Sequence, residues 1–234
     1  MRLLPNGGSA RSLLDSRTIR RAIPRPLKEL GKSLLKKSFP TVYARVFWNS
    51  LAEHVHANWG HDFYDFDIVA RCCVIVGAKS ILDVGCGSGR LFPLYIEKGI
   101  PFCGCDVSPV ALSLARKRFP SADLRGLAVE AISDVALGQR FDLAISHRVL
   151  QHIPHASFGQ ALRGIASAAS AVYVNELTVE QTPPNSSYMF PHDYITAFRG
   201  LDFHLVSSGK VEVTGDPPHH WLLFSRNVTP ESAH

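Results

Sequence analysis

The chain has 234 residues, of which 46% are hydrophobic and 19% charged, with a formal net charge of +5. This length and composition suit one α/β domain with an extension, and the absence of a run of 18 apolar residues argues against a transmembrane helix. The five cysteines form no C-x-x-C pair, which disfavours a metal site or a disulfide framework and favours a reducing, cytoplasmic setting.

The basic charge is concentrated at the N-terminus. Residues 1–40 hold ten Lys and Arg against Asp15 and Glu29, a charge of +8, whereas the remainder carries −3. The body of the chain is therefore not expected to bind nucleic acid. We expect residues 1–38 to be a flexible leader, with a short basic amphipathic helix over 27–38. The alternatives to a flexible leader are a segment that makes weak contact with a membrane surface or an acidic partner, and a targeting segment.

An aromatic segment follows from Phe39 to Gly60. The spacing of Tyr43, Phe47 and Leu51 predicts one face of a helix, which we expect to pack on the core. The alternative is that some of this region's aromatic and histidine side chains cover a pocket; the candidates are Tyr43, Trp48, His56, Trp59 and Tyr64. A second helix is predicted over 65–76.

The most informative feature is an apolar strand, Ile81 to Val84, that ends in glycines at alternate positions, Gly85, Gly87 and Gly89. This pattern is typical of a buried parallel strand that enters a tight turn where a ligand approaches the backbone. A helical pattern starts at Arg90, and free N–H groups at a helix start favour negative charge. The segment therefore predicts a nucleotide-type binding corner.

The glycine spacing distinguishes among nucleotides. A dinucleotide fingerprint would place its third glycine where Arg90 stands, and a P-loop would need Gly-Lys-Ser/Thr. The string LDVGCGSG instead resembles motif I of the class I S-adenosylmethionine-dependent methyltransferases at every position, and the resemblance extends to about Leu177. It implies a Rossmann-like, seven-stranded doubly wound sheet with a helical N-terminal cap and an antiparallel C-terminal edge hairpin.

Strands and helices alternate through the core, which predicts a parallel sheet with right-handed crossovers. The predicted strands are 81–85, 101–106, 122–125, 141–146 and 171–176, and the helices between them are 90–98, 108–119 (capped by Ser108), 129–135 and 156–169. A helix over 193–199 and strands 204–213 and 221–226 complete the chain. We divide the domain, 39–234, into a cap (39–78), a cofactor-binding core (79–177), and a lid with the C-terminal hairpin (178–234).

Cofactor sites in such sheets lie at the carboxyl ends of the strands. The resemblance implies that Asp83 holds the glycine turn and the methionyl ammonium, and that Gly85, Cys86 and Gly87 offer backbone contacts. Asp106 ends the second strand 17 residues after Gly89, and its two oxygens suit the two ribose hydroxyls. Val107 is then expected on the adenine.

The third strand departs from the family pattern. Related chains often carry Gly-Asp-Ala here, with the acid on the adenine amino group, whereas this chain has Leu127 and Ala128 after Gly126. We assign the adenine contact to Leu127 and Ala128, with Asp123 and Glu130 as alternatives.

The fourth strand begins the string FDLAISHRVLQHI, which resembles the segment that lines the methyl-transfer chamber of this family. The resemblance implies that Ser146 and His147 leave the sheet near the sulfonium and that His152 follows on a loop or short helix. Histidine suits general-base work near neutral pH, so His152 or His147 is the candidate base; a structural role for each is the alternative.

Several absences narrow the acceptor. The chain lacks Asn/Asp-Pro-Pro-Tyr after the fourth strand, a Pro-Cys or Thr-Cys nucleophile pair, and a carboxylate cluster for a divalent metal, so no metal site is predicted. A small-molecule or glycan O- or N-methyltransferase remains. The alternatives are an inactive cofactor-binding protein of the same fold and a nucleotide-dependent oxidoreductase. Weaker acceptor-site candidates follow the fifth strand: Glu176, Asn185, Tyr188, His192, Asp193 and Tyr194.

Overall fold

The computed structural model describes residues 40–58, 66–180, 189–211 and 218–227. The chain divides into two units, residues 1–43 and 44–234, and Pro40–Tyr43 is the part of the first that is described. The expectations for residues 1–38, for the side chains of His56, Trp59 and Tyr64, and for Asn185 and Tyr188 lie outside the described residues. Among the helices that are described, none combines the length and apolarity needed to cross a membrane.

Within the described residues, seven strands form one sheet in the order β3-β2-β1-β4-β5-β7-β6. The strands are β1 (Ile81–Val84), β2 (Phe102–Cys105), β3 (Asp123–Arg125), β4 (Phe141–His147), β5 (Ala169–Glu176), β6 (His204–Val211) and β7 (His219–Ser225). Strands β1 to β5 are parallel, and β7 runs antiparallel to both β5 and β6. The predicted fold class is confirmed, including the antiparallel edge hairpin.

The helices alternate with the strands as predicted. They are α1 (Pro40–Asn58), α2 (Phe66–Ile75), α3 (Phe92–Glu97), α4 (Pro109–Arg118), α5 (Asp134–Leu137), α6 (His155–Ala168) and α7 (Tyr194–Arg199), with 3-10 turns at Val129–Ala131 and Leu150–His152. Ser108 caps α4 as predicted, because its Oγ accepts a hydrogen bond from the Ala111 N–H at 3.1 Å.

Two apolar clusters cover the two faces of the sheet. Strand β1 is buried along its whole length, with Leu82 and Val84 in one cluster and Ile81 in the other. The middle of β4 alternates in the same way, with Ala144 in the first cluster and Leu143 and Ile145 in the second. Burial on both faces explains why these strands are rich in apolar residues on both sides, with no regular alternation of apolar and polar residues.

The segment predicted as one helix over 129–135 is split. The 3-10 turn ends at Ala131, and α5 begins after Ser133, whose Oγ accepts the Ala136 N–H at 3.0 Å. Between them Ile132 is extended and its carbonyl abuts Gly164 of α6, where a Cβ would collide with it. Close packing against α6 therefore interrupts the helix, and a new N-cap restarts it.

Candidate active site

The carboxyl ends of β1, β2 and β4 meet at one edge of the sheet, on either side of the central strand β1. In a doubly wound sheet this reversal of strand order opens a crevice above the strand ends. The crevice is lined by residues from the β1 end, the turn after it and the β4 end; they are Asp83, Gly85, Cys86, Arg90, Leu91 and His147. The fold thus brings together four residues predicted as site residues from distant parts of the sequence.

The glycine turn explains how a ligand can reach the backbone. Gly85, Gly87 and Gly89 have φ angles of +67°, +57° and +78°, which disfavour any residue with a Cβ. A Cβ on Gly85 would collide with Val149, whereas a Cβ on Gly87 would meet no atom within 4 Å. Gly85 is therefore required by packing inside the protein, and Gly87 presents an open backbone.

Asp83 lies beneath this turn, 3% exposed, and its Oδ2 accepts a hydrogen bond from the Tyr95 hydroxyl at 3.1 Å. Burial raises the pKa of Asp83 to about 7, although the Tyr95 hydroxyl and the positive charge of Arg90 both act to lower it. Tyr95 belongs to α3, and nothing local in the sequence indicates that its hydroxyl bonds to β1.

Asp106 joins the glycine turn to the start of α4. Its Oδ2 accepts the Gly87 N–H at 2.9 Å and its Oδ1 accepts the Ser108 N–H at 2.7 Å. Burial raises its pKa, and these backbone hydrogen bonds counteract part of that increase. Each carboxylate oxygen retains a further lone pair, so Asp106 can accept hydroxyl hydrogen bonds as well.

The predicted adenine residues lie on the β2 and β3 side. Val107 is half-buried directly after Asp106, and the Asp106 N–H donates to the Arg125 carbonyl at 3.2 Å, which places the end of β3 beside it. Leu127 and Ala128 follow that end and are half-buried. The contact of these three residues with the adenine ring stays a prediction.

The two polar residues predicted at the end of β4 face different surroundings. His147 lines the crevice, with its Nε2 3.5 Å from Asn175 Nδ2. Ser146 is fully buried, and its hydroxyl donates to Glu176 Oε1 at 2.7 Å. Adjacent residues of a strand point to opposite faces, so the fold brings His147 to the crevice and places Ser146 behind it.

His152 ends the 3-10 turn after β4 and lies against α1. Its ring meets the Trp48 ring edge to face, with 4.9 Å between centroids. The next residue of α1, Asn49, accepts a hydrogen bond from the Ser108 hydroxyl at 2.7 Å through its Oδ1. Helix α1 therefore contacts both the N-cap of α4, which follows β2, and the turn that follows β4. Trp48 was among the pocket-covering candidates, whereas Asn49 was missed because an Asn within a helix carries no specific signal.

Glu176 was expected near the acceptor, but the structure buries it completely at the end of β5. Its carboxylate accepts four hydrogen bonds, from the Ser146 hydroxyl and from the backbone N–H groups of Val149, Leu150 and Gln151. Burial raises its pKa to about 7 despite these donors. The carboxylate is thus a partner of the turn that carries His152.

His192 fixes the segment after residues 181–188 against the same region. Its Nε2 lies 2.9 Å from the Ile153 carbonyl, its Nδ1 lies 3.2 Å from His155 Nδ1, and its ring stacks on Phe158 at 3.7 Å. Burial lowers the pKa of His192 to about 4. The neutral ring donates from Nε2 to the carbonyl and accepts from His155. His192 and Tyr194, both buried, pack against α6 through Phe158.

The buried carboxyl of Asp83 makes the stability depend on pH. Because its pKa is about 7 in the folded protein and 3.8 ordinarily, its contribution to stability is complete below pH 4 and lost as the pH rises to 7. At about 1.4 kcal/mol per pKa unit, the free energy of unfolding of the wild type falls by about 3–4 kcal/mol relative to Asp83→Asn over this range. Urea unfolding of both proteins at pH 4 to 8 measures this difference.

A second variant checks the cause. Tyr95→Phe removes the hydroxyl that lowers the pKa of Asp83 and therefore shifts the loss of stability to higher pH. Parallel curves of stability against pH for the wild type and Asp83→Asn would contradict the assignment to Asp83.

Comparison with known proteins identifies relatives over the crevice region. A family model described as a methyltransferase domain matches residues 82–172. A ubiquinone biosynthesis O-methyltransferase from Alkalilimnicola ehrlichii is 28% identical over 170 residues, which are 68% of this chain and 60% of that relative. Its counterpart from Pseudomonas paraeruginosa is 28% identical over 49% of this chain and 50% of that relative. The chain therefore spans less than two thirds of the length of these relatives.

Solved structures share the fold at low sequence identity. The magnesium protoporphyrin IX methyltransferase from Synechocystis PCC 6803, solved with bound S-adenosylmethionine, superposes with a TM-score of 0.64 at 17% identity over 80% of this chain and 96% of that chain. An amino pentose methyltransferase from Micromonospora echinaspora superposes with a TM-score of 0.60 at 17% identity over 75% of this chain and 96% of that chain.

The matched family model runs from β1 into β5, so it includes all three strand ends that build the crevice. The glycine turn and Asp106 therefore lie within the part of the chain, residues 82–172, that matches a methyltransferase domain.

Proposed function

We propose that this protein transfers the methyl group of S-adenosylmethionine to an oxygen or nitrogen atom of a small-molecule or glycan acceptor, by direct in-line displacement. The observation that carries the proposal is the crevice at the β1 and β4 ends. The glycine turn that lines it is joined, through the Gly87 N–H, to the Asp106 carboxylate directly after β2. The sulfonium of this cofactor supplies an already activated methyl group, so the protein has mainly to align the reactants and exclude water.

The residues of the crevice suit the charged and polar parts of the cofactor. Asp83 lies under the turn where the methionyl ammonium is expected, and a positive charge beside it favours the ionised carboxylate. Asp106 has lone pairs left for the ribose hydroxyls. Gly85, Cys86 and Gly87 provide the backbone of the turn. Val107, Leu127 and Ala128 complete the site on the adenine side.

The acceptor is proposed to enter between α1 and the turn after β4. Trp48 and His152 meet there, on elements that do not contribute to the glycine turn. A histidine at this place can accept the proton of a hydroxyl or amine acceptor as the methyl group is transferred. The relatives named as O-methyltransferases support an acceptor of small-molecule type.

Two measurements together test the proposal. Calorimetry with S-adenosylhomocysteine measures binding, and incubation with isotopically labelled S-adenosylmethionine and a panel of hydroxyl and amine acceptors measures transfer. We expect both binding and transfer of label. Binding without transfer of label to any acceptor of the panel, or to any compound in host extracts, would favour the alternative of an inactive cofactor-binding protein of the same fold. A lack of binding would contradict the proposed function and would favour the alternative of a nucleotide-dependent oxidoreductase.

Asp106 is expected to contribute strongly to cofactor affinity. Asp106→Ala removes a half-buried carboxylate that is bonded to the glycine turn, and hydrogen bonds to charged groups contribute about 1.5–3 kcal/mol each. We expect the Kd for S-adenosylhomocysteine to rise by about 10- to 150-fold, measured by calorimetry.

The matched control is Asp123→Ala, which removes a half-exposed carboxylate paired with Arg125 at 2.9 Å on β3. Unchanged affinity in Asp106→Ala would remove Asp106 from the site. A loss of affinity in Asp123→Ala instead would assign the adenine contact to Asp123, the alternative left open by the sequence.

A further inference from the structure

The buried carboxylate of Glu176, at the end of β5, is surrounded by donors from the end of β4 and the turn after it. We propose that Glu176 is a positioning residue, which holds the 3-10 turn that carries His152 in its working place. Its effect on turnover rests on the proposed methyl transfer, whereas its effect on the turn does not.

The hydrogen bonds converge on one side chain. Oε1 accepts the Ser146 hydroxyl at 2.7 Å, the Val149 N–H at 2.8 Å and the Leu150 N–H at 3.0 Å, and Oε2 accepts the Gln151 N–H at 3.2 Å. The side chain has no exposed surface. Because four donors converge on this one buried carboxyl group, its hydrogen bonds are a strong local constraint on three consecutive residues.

The backbone explains why the turn needs such a partner. Arg148 has a φ of +61°, which is unusual for a residue other than glycine, and Val149 follows in the right-handed helical region with φ −119° and ψ −50°. A left-handed residue followed by a right-handed one directs successive N–H groups to the same side and forms an anion-binding concavity. Here the protein's own Glu176 carboxylate fills that concavity.

His152 follows directly after the three anchored residues. Its N–H donates to the Val149 carbonyl at 2.9 Å, and its ring contacts Trp48 of α1. A shift of the turn would therefore displace the His152 ring relative to β4 and the crevice.

Gln151 extends the constraint to the segment that follows β5. Its Oε1 accepts the Leu177 N–H at 2.9 Å, and its carbonyl accepts the Phe190 N–H at 2.6 Å. Because Gln151 is itself anchored to Glu176, one carboxylate fixes both the turn that carries His152 and the point at which Phe190 is held against it.

Glu176→Gln tests this role with little change of shape. The amide oxygen can still accept three donors, but the amide NH2 then faces the Gln151 N–H, and two donors oppose each other. We expect amide hydrogen exchange at Val149 to Gln151 to accelerate by about 10-fold or more, the equivalent of losing about one hydrogen bond. Turnover should fall by about 10- to 100-fold, since small misplacements of reacting groups have effects of this size. The Kd for S-adenosylhomocysteine should stay within about twofold, because the fully buried Glu176 is not one of the residues proposed to contact the cofactor.

Asp142→Asn is the matched control. Asp142 lies at the opposite end of β4, where its Oδ2 accepts the Lys79 N–H at 2.9 Å and the Ser80 hydroxyl at 3.0 Å. The same change of a carboxylate to an amide there should leave exchange in the turn and turnover as in the wild type.

The outcomes separate the possibilities. Unchanged exchange at Val149 to Gln151 in Glu176→Gln would overturn the proposal, and so would a uniform acceleration across the sheet, which indicates general instability. If Glu176→Gln does not fold, Glu176→Asp carries the test, because a carboxylate shorter by one methylene cannot meet all four donors. If the wild type transfers no methyl group, the proposed function fails, while the exchange data still decide whether Glu176 holds the turn.

Discussion

Replacing His152 with alanine is expected to lower turnover by about 10²- to 10⁴-fold, the range that a positioned general base contributes. The Kd for S-adenosylhomocysteine should change by less than about twofold, because His152 lies against Trp48 on the proposed acceptor side and is not one of the residues proposed to contact the cofactor. Single-turnover rates with labelled cofactor and calorimetry on the same preparations measure the two quantities.

His147→Ala provides the contrast. His147 lines the crevice beside Asp83 and Gly85, so its loss should weaken S-adenosylhomocysteine binding as well as turnover. The two histidines are therefore distinguished by their effects: loss of His152 should lower turnover alone, whereas loss of His147 should lower both turnover and cofactor affinity.

Added imidazole distinguishes a base from a structural residue at His152. If His152 accepts a proton from the acceptor, free imidazole should restore part of the activity of His152→Ala and should not restore that of His147→Ala. Activity of His152→Ala equal to that of the wild type would reject the base, and a loss without imidazole rescue but with a lower free energy of unfolding would indicate a structural role.

The parts of the site that the sequence predicts are those encoded locally. The strand over residues 81–84, the glycines after it and Asp106 are each recognisable in a window of a few residues, because a buried strand and a turn with positive φ demand particular residue types. The carboxyl ends of parallel strands then bring these windows together without further information.

The parts that the sequence does not predict depend on pairing between distant residues. Glu176 meets Ser146 across 30 positions, and Asn49 meets Ser108 across 59. A Glu at the end of a strand looks the same whether it faces an acceptor or three backbone N–H groups. The sequence likewise places Ser146 and His147 together, and only the register of β4 decides which of them faces the crevice.

Gly85→Ala is expected to cause a large loss of stability. Its φ of +67° is unfavourable for alanine, and a Cβ would lie 2.8 Å from Val149 Cγ1 and closer still to Cγ2. A left-handed conformation costs about 1–2 kcal/mol and overpacking about 1–3 kcal/mol, so we expect the free energy of unfolding to fall by about 2–5 kcal/mol. Urea unfolding followed by circular dichroism measures it.

Gly87→Ala is the matched control, because its φ of +57° carries similar backbone strain but no atom lies within 4 Å of the added Cβ. Its loss of stability should be about 1–2 kcal/mol, the backbone cost alone. Its effect on S-adenosylhomocysteine affinity should exceed its effect on stability, because the open side of Gly87 is where the cofactor is proposed to approach.

The double variant Gly85→Ala with Val149→Ala isolates the clash. Removing the two γ-methyl groups of Val149 leaves the backbone strain and relieves the overlap, so the double variant should be about 1–3 kcal/mol more stable than the sum of the single effects predicts. Strict additivity would contradict contact between Gly85 and Val149. Val149 is also the first of the three residues that Glu176 anchors. Because Gly85 has no Cβ, the glycine turn packs directly on Val149 and so on the turn that carries His152. We therefore expect Gly85→Ala to reduce turnover more than Gly87→Ala does when both are saturated with cofactor.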